Sequence, residues 1–253
     1  MDICCACHNP QHNRSFQRVP NVLTIMVFAA LTLILLLTSF LPQWWVRSVT
    51  RRYSAEIDDL PGTGGQLAEH LIERFALEGV RVEETKPNTD HYDPNDNCVR
   101  LGPDNFSGRS VTAIAVAAHE VGHAIQFTRQ EKISRLRGKF IPVSIALGKL
   151  GVWLMLAFPL VSIITRSPTA MVVMLVVSVL LQLAGAAMYL IVLPEEWDAS
   201  FNKALPILQE GEYLPQEHIE GARKVLRAAA LTYFAGALAS VANIGRWLIL
   251  LRS

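Results

Sequence analysis

Four apolar stretches restrict this chain more than any other feature of its sequence. Val19–Val46 and Ser167–Pro194 contain no Asp, Glu, Lys or Arg, Ile141–Thr165 contains only Lys149, and Ala228–Leu251 contains only Arg246. With a rise of about 1.5 Å per residue, each is long enough to cross a hydrocarbon core of roughly 30 Å as a helix. A chain that is 51% apolar, with a mean hydropathy of +0.29, fits that reading. The expectation is a mainly α membrane protein with four transmembrane helices, at 19–46, 141–165, 167–193 and 228–251. A tail, 1–18, precedes them, and two polar segments, 47–140 and 194–227, lie between them. Arg14 and Arg18 precede the first stretch as in a secretory signal. Its apolar run exceeds the roughly 7–15 residues of a signal core, and it ends in Leu41-Pro42-Gln43-Trp44-Trp45 without a small-x-small cleavage site. It reads as a retained anchor, its tryptophan pair at the membrane–water boundary.

The net charge of +1 offers a polyanion nothing, so no nucleic acid partner is expected. Three of the four cysteines crowd into Cys4, Cys5 and Cys7 while Cys98 stands alone, which is no disulfide framework. With His8 or His12 the tail could hold a metal or carry a lipid; a short unstructured tail is the simpler reading. Basic residues crowd the ends of the two polar segments, at Arg47–Arg52, Arg129–Lys139 and Lys203–Arg227, against Arg14, Arg18, Arg166 and Arg252 on the other face. That asymmetry predicts polar segments in the cytoplasm and both termini outside.

The first polar segment is long enough to be a small domain. Pro61–Gly65 is turn material. Leu67, Leu71, Ile72, Phe75 and Ala76 have helical spacing, predicting a helix over Gln66–Glu78 ended by Gly79. Val80–Val82 alternates like a short strand, Lys86–Asn97 is a Pro-, Asn- and Asp-rich loop, and Cys98–Leu101 is a second strand. From Ser110 onward Val111, Ile114, Ala115, Ala118, Val121, Gly122 and Ile125 fall on one helical face, with Ser107 or Ser110 as cap. The fold class is thus four membrane helices with a small α+β insertion. In the second polar segment, Pro194 fits the first turn of a helix running through Trp197, Phe201, Leu205 and Leu208.

The chemistry lies in His119-Glu120-Val121-Gly122-His123. Histidines four apart on a helix project from one face, so both imidazoles can reach one ion, and Glu120 can take a proton from metal-activated water without being a ligand. The run Val111–Ala118 is apolar nearly all round, which predicts a buried helix, and buried histidines and carboxylates require partners. Catalytic zinc takes three protein ligands. Glu195, Glu196 and Asp198 follow the third stretch, and two crossings return the chain to the side that carries His119. About 100° separates successive helical residues, so at most one of the three carboxylates aims squarely at the ion.

Asp90-His91-Tyr92-Asp93-Pro94, Val99-Arg100-Leu101, Ser110 through Ala118 leading into HEVGHAIQ, Glu196-Trp197-Asp198-Ala199-Ser200, and Ala222 through Tyr233 together resemble the "putative neutral zinc metallopeptidase" family of bacterial membrane proteins, also called YugP-like. The resemblance spans about 53–251. It implies a gluzincin-type site holding one catalytic Zn2+ on His119, His123 and Glu196, with Glu120 as general base. It implies a membrane-bound endopeptidase of the bacterial cytoplasmic membrane acting on peptide or protein substrates. A short edge strand beside the active helix, matched by Cys98–Leu101, would receive the peptide as an added strand. Asp198 suits a supporting position, Tyr233 could donate to a tetrahedral oxyanion or simply sit at the membrane interface, and His91 reads as a loop residue near the cleft.

Two other readings compete. A membrane scaffold or chaperone-like protein would keep structural zinc without turnover, closing the coordination sphere with His91 or His218. An intramembrane site-2-type protease would place the histidine helix within the bilayer. Arg109, Arg129, Glu131 and Lys132 bracket that helix, and no later apolar stretch carries an Asp-Gly ligand motif.

Overall fold

The structure, a computed structural model, describes residues 22–240; at some positions of the first helix, and at Ser162, only the backbone is described. The cysteine tail and residues 241–251 of the fourth apolar stretch lie outside the described residues. Helix α1 (Val22–Arg52) ends on Arg51 and Arg52, cations at the negative end of the helix dipole. Helix α2 (Gly64–Arg74) begins two residues before the expected start. Thr63 and Gln66 close a reciprocal capping box there, which draws Gly64 and Gly65 into the first turn. It also stops early: Ala76 and Gly79 take left-handed backbone angles of 48° and 78° and turn the chain into a sheet.

The sheet has three strands, β1 (Arg81–Glu84), β2 (His91–Asp93) and β3 (Cys98–Leu101), in the order β1-β3-β2. β1 runs parallel and β2 antiparallel to β3. This corrects the sequence reading twice. The expected loop contains a strand, and Cys98–Leu101 is the central strand, so the edge facing the active helix belongs to β2. A short helix, α3 (Pro103–Phe106), leads to α4 (Val111–Thr128), capped by Ser110 accepting from the amide of Ala113. Val111–Ala115 and Ala117–Gln126 are all buried, so α4 is the central rod, packed against α2, the sheet and later helices. Thr112 ties it to the end of α1, its hydroxyl donating to Thr50 O at 2.8 Å and its amide to Tyr53 O at 3.0 Å.

A 3-10 turn (Lys132–Arg135) opens α5 (Leu136–Thr165), and α6 (Pro168–Trp197) returns antiparallel to it. Glycines at the contact bring the two close. A Cβ on Gly151 would lie 3.0 Å from Ser178 O, and Ser144 Oγ donates to Gly185 O at 2.7 Å. Among the described residues two helical runs, Lys132–Thr165 and Pro168–Glu210, are long and apolar enough to cross a membrane, rather than the expected four. Pro194 does not begin a new helix: α6 runs through it into a π-helical segment, Asp198–Ala204. Helix α7 (Leu205–Glu210), a 3-10 turn (Gln216–His218) and α8 (Ile219–Ala230) follow, and residues 232–240 are again helical.

At Gly122, α4 packs closely against the π-helical segment. A Cβ there would stand 2.8 Å from Ala199 O, a backbone atom that cannot swing aside. Gly122→Ala should therefore destabilise the protein by about 1–3 kcal/mol despite the better helix propensity of alanine, read as a lower melting temperature in detergent.

Candidate metal centre

His119 and His123 lie one turn apart on α4, their rings 4.7 Å apart between centroids and nearly perpendicular at 83°. Their Nε2 atoms face each other at 3.2 Å, and Glu196 Oε2, from the end of α6, lies 3.3 Å from both. All three side chains are buried, and one ligand atom from each falls within 4.8 Å of the others.

The far side of each ring decides its tautomer. Ser200 stands about one turn beyond Glu196. Its hydroxyl donates to Leu226 O at 3.1 Å, so its oxygen accepts from His119 Nδ1–H at 3.0 Å. Gln126 spends its amide nitrogen on Glu195 O at 3.0 Å and Asp198 Oδ2 at 2.8 Å, so its oxygen accepts from His123 Nδ1–H at 3.0 Å. Both Nε2 lone pairs therefore point into the same space. Two nitrogen lone pairs at 3.2 Å repel unless a cation lies between them. Glu196 Oε1, buried in the same place, has no hydrogen-bond partner. Burial opposes charge on His119, yet the Glu196 carboxylate, ready to accept a hydrogen bond from the protonated ring, and the fields of Glu120 and Glu196 outweigh it and raise the pKa of the ring. What attracts a proton here attracts a dication more strongly. Two imidazoles and one carboxylate are a donor set that suits zinc.

The other acidic residues turn elsewhere. Glu195 Oε2 accepts the backbone amide of Arg137 at 2.7 Å. Asp198 accepts from Gln126, from Asn202 at 2.8 Å and from Lys203, whose ammonium also reaches Glu131 at 2.9 Å. Glu120 Oε2 accepts the Tyr92 amide of β2 at 2.8 Å. The Tyr92 carbonyl, on the same outer edge of that strand, accepts from Arg137 Nη2 at 2.9 Å. His91 and Tyr233 lie outside the three-residue cluster; with His123 and Glu195 they line an adjoining cavity of about 560 Å³. His218 pairs with Glu217 at 3.5 Å and does not join the cluster either.

Three residues at the site escaped the sequence reading. Gln126 carried a signal, its i+3 spacing from His123 on a buried helix. Ser200 had only its spacing of four from Glu196. Arg137 had none that separates it from its neighbours Arg135 and Lys139. Ser200→Ala removes the acceptor that fixes the His119 tautomer and should weaken zinc binding roughly 10–100-fold, measured by competition with a chelator.

The family described as "Putative neutral zinc metallopeptidase" matches residues 27–252. The chain is 34% identical over 226 residues, 89% of its own length and 96% of the other's, to the "Putative membrane protease YugP" of Bacillus subtilis (strain 168). No solved structure matches. With the match extending over nearly all of the described residues, the chain belongs to the putative neutral zinc metallopeptidase family.

Proposed function

We propose that this protein is a membrane-bound zinc endopeptidase that holds one zinc ion on His119, His123 and Glu196 and uses Glu120 as general base. The observation that carries the reading is the convergence of two Nε2 lone pairs and one carboxylate oxygen, each imidazole fixed from behind by Ser200 or Gln126. Zinc bound there supplies Lewis acidity, polarising a scissile carbonyl and lowering the pKa of water toward roughly 7.

The chain's own residues do the rest. The peptide lies along the outer edge of β2, where the N–H and C=O of Tyr92 point away from β3. Those groups are held by Glu120 and Arg137, so substrate takes over one or both contacts on docking. Glu120, released toward the metal side, accepts a proton from the attacking water and returns it to the leaving amine. Arg137 and Tyr233 line the same cavity and are placed to donate to the oxyanion. α5 and α6 cross the cytoplasmic membrane of a bacterium as an antiparallel pair, with the site on the cytoplasmic face; with the apolar stretches 19–46 and 228–251 as outer crossings, a reading that rests on sequence alone, both termini lie outside. The basic residues around the polar segments support that orientation.

Zinc content of the purified protein, paired with turnover of a generic unfolded substrate, tests the reading. Stoichiometric zinc with turnover abolished by a chelator is expected, and zinc without turnover would favour a scaffold. A reporter fused near Gln216 should report the cytoplasm; a periplasmic signal would reverse the topology.

A further inference from the structure

The cavity beside the metal cluster extends past the chemistry. At about 560 Å³ it is within the roughly 300–1,000 Å³ of ligand sites. One wall is shared with the cluster and the strand edge, through His123 and Tyr92. Phe127, from the end of α4, packs its ring 5.9 Å from that of Tyr92 on this side, and the start of α5 adds Gly138, Ile141 and Pro142 to the lining. The charged groups around it are already engaged or stand in solvent. Glu195 takes the Arg137 amide, Asp93 holds Arg100 at 2.6 Å and Arg135 is exposed, while the Arg137 guanidinium, now on Tyr92 O, is the group assigned to the reacting peptide bond rather than to a side chain. What remains for a ligand is mainly apolar surface.

The position of that surface along α5 matters as much as its chemistry. Ile141 and Pro142 face the cavity, and one residue on, Val143 and then Ile145 open the exposed apolar surface of a helix long enough to cross a membrane. The cavity thus sits where the polar part of the protein meets the apolar part, with exposed Pro142 at its lip.

We infer that this cavity is a specificity pocket for a bulky apolar side chain next to the scissile bond, presented by a segment lying at the membrane surface. The substrate class is the juxtamembrane segment of a membrane-anchored chain. The inference rests on the peptidase reading and deepens it. Gly138 provides the lever, because a Cβ added there meets nothing within 4 Å. Gly138 lines the cavity, so Gly138→Leu adds apolar bulk at that wall from a Cβ that meets no neighbour, with better helix propensity.

The test uses full-length protein in proteoliposomes and peptides with one cleavable bond flanked by Ala, Leu or Phe. Each peptide is offered free and fused through a short linker to a transmembrane helix. Wild-type protein should cut the Phe and Leu substrates roughly tenfold or more faster than Ala, the scale on which apolar pockets discriminate. It should cut tethered substrates faster than free ones. Gly138→Leu should shift the preference toward Ala with zinc content unchanged, and Ile141→Ala should shift it toward side chains larger than Phe. Equal rates for Ala, Leu and Phe, or a preference indifferent to both substitutions, would overturn the pocket. Free peptides cut as fast as tethered ones would overturn the membrane-surface substrate. Zinc-loaded wild-type protein that cuts nothing would sink the peptidase reading instead. The pocket is then judged by binding of the tethered Phe and Ala peptides, where equal affinities overturn it.

Discussion

Purified Glu120→Gln protein should hold its zinc and cut nothing. Glu120 lies next to the metal cluster in sequence but is not part of it: its Oε2 faces the Tyr92 amide at 2.8 Å, while the cluster consists of His119, His123 and Glu196. Glutamine has the same shape and keeps an oxygen to accept that amide proton, so the buried contact between α4 and β2 survives. What it loses is basicity. General base catalysis is worth about 10²–10⁴-fold, so turnover should fall by at least that factor. Metal analysis and turnover on the same preparation separate the outcomes. A variant that retains wild-type turnover would remove Glu120 from the mechanism, and one that loses zinc would make it a ligand.

Much of the centre was legible because it depends on helical period. Histidines four apart on an apolar helix share a face wherever that helix is placed, and the all-round apolar run before them announced its burial. Glu195, Glu196 and Asp198 were legible as a set, although spacing left open which of them turns toward α4; the family resemblance favoured Glu196. The edge strand was not legible. Thr89-Asp90-His91-Tyr92-Asp93-Pro94 is polar and turn-rich, and β2 pairs for only three residues, with Tyr92 alone fully buried. Strand order was not legible either, because nothing local tells Cys98–Leu101 that β1 and β2 will flank it. Pro194 misled for a different reason. A proline favours a first turn in water, but long apolar helices carry it internally, as α1 does at Pro42 and α5 at Pro142 and Pro159. Ser200 and Arg137 acquire their roles only when distant elements meet, since Ser200 pairs with His119 and Leu226 and Arg137 with Tyr92, whereas Gln126 needs Glu195 and Asp198 to orient the amide that its near neighbour His123 uses.

The sharpest test of that meeting is a comparison of three carboxylates within four residues. Glu196→Ala should lose most of its zinc and its turnover, because two imidazoles alone make a poor zinc site and the Arg137 guanidinium, 3.9 Å from Glu196 Oε1, would then repel the ion without opposition. The loss should exceed the roughly 10–100-fold caused by removing a hydrogen-bond partner behind a ligand. Glu195→Ala should keep its zinc: its carboxylate caps the Arg137 amide, a single hydrogen bond worth about 1 kcal/mol of stability. Asp198→Ala should fall between them. It frees the Gln126 amide and the Lys203 ammonium, loosening the support behind His123 without touching the ion. The expected order of zinc retention is therefore Glu195→Ala, then Asp198→Ala, then Glu196→Ala, read as metal content of the three purified proteins after dialysis against a weak chelator. Full occupancy in Glu196→Ala would mean that another oxygen completes the site, and Glu195, already at the wall of the same cavity, would be the residue to examine next.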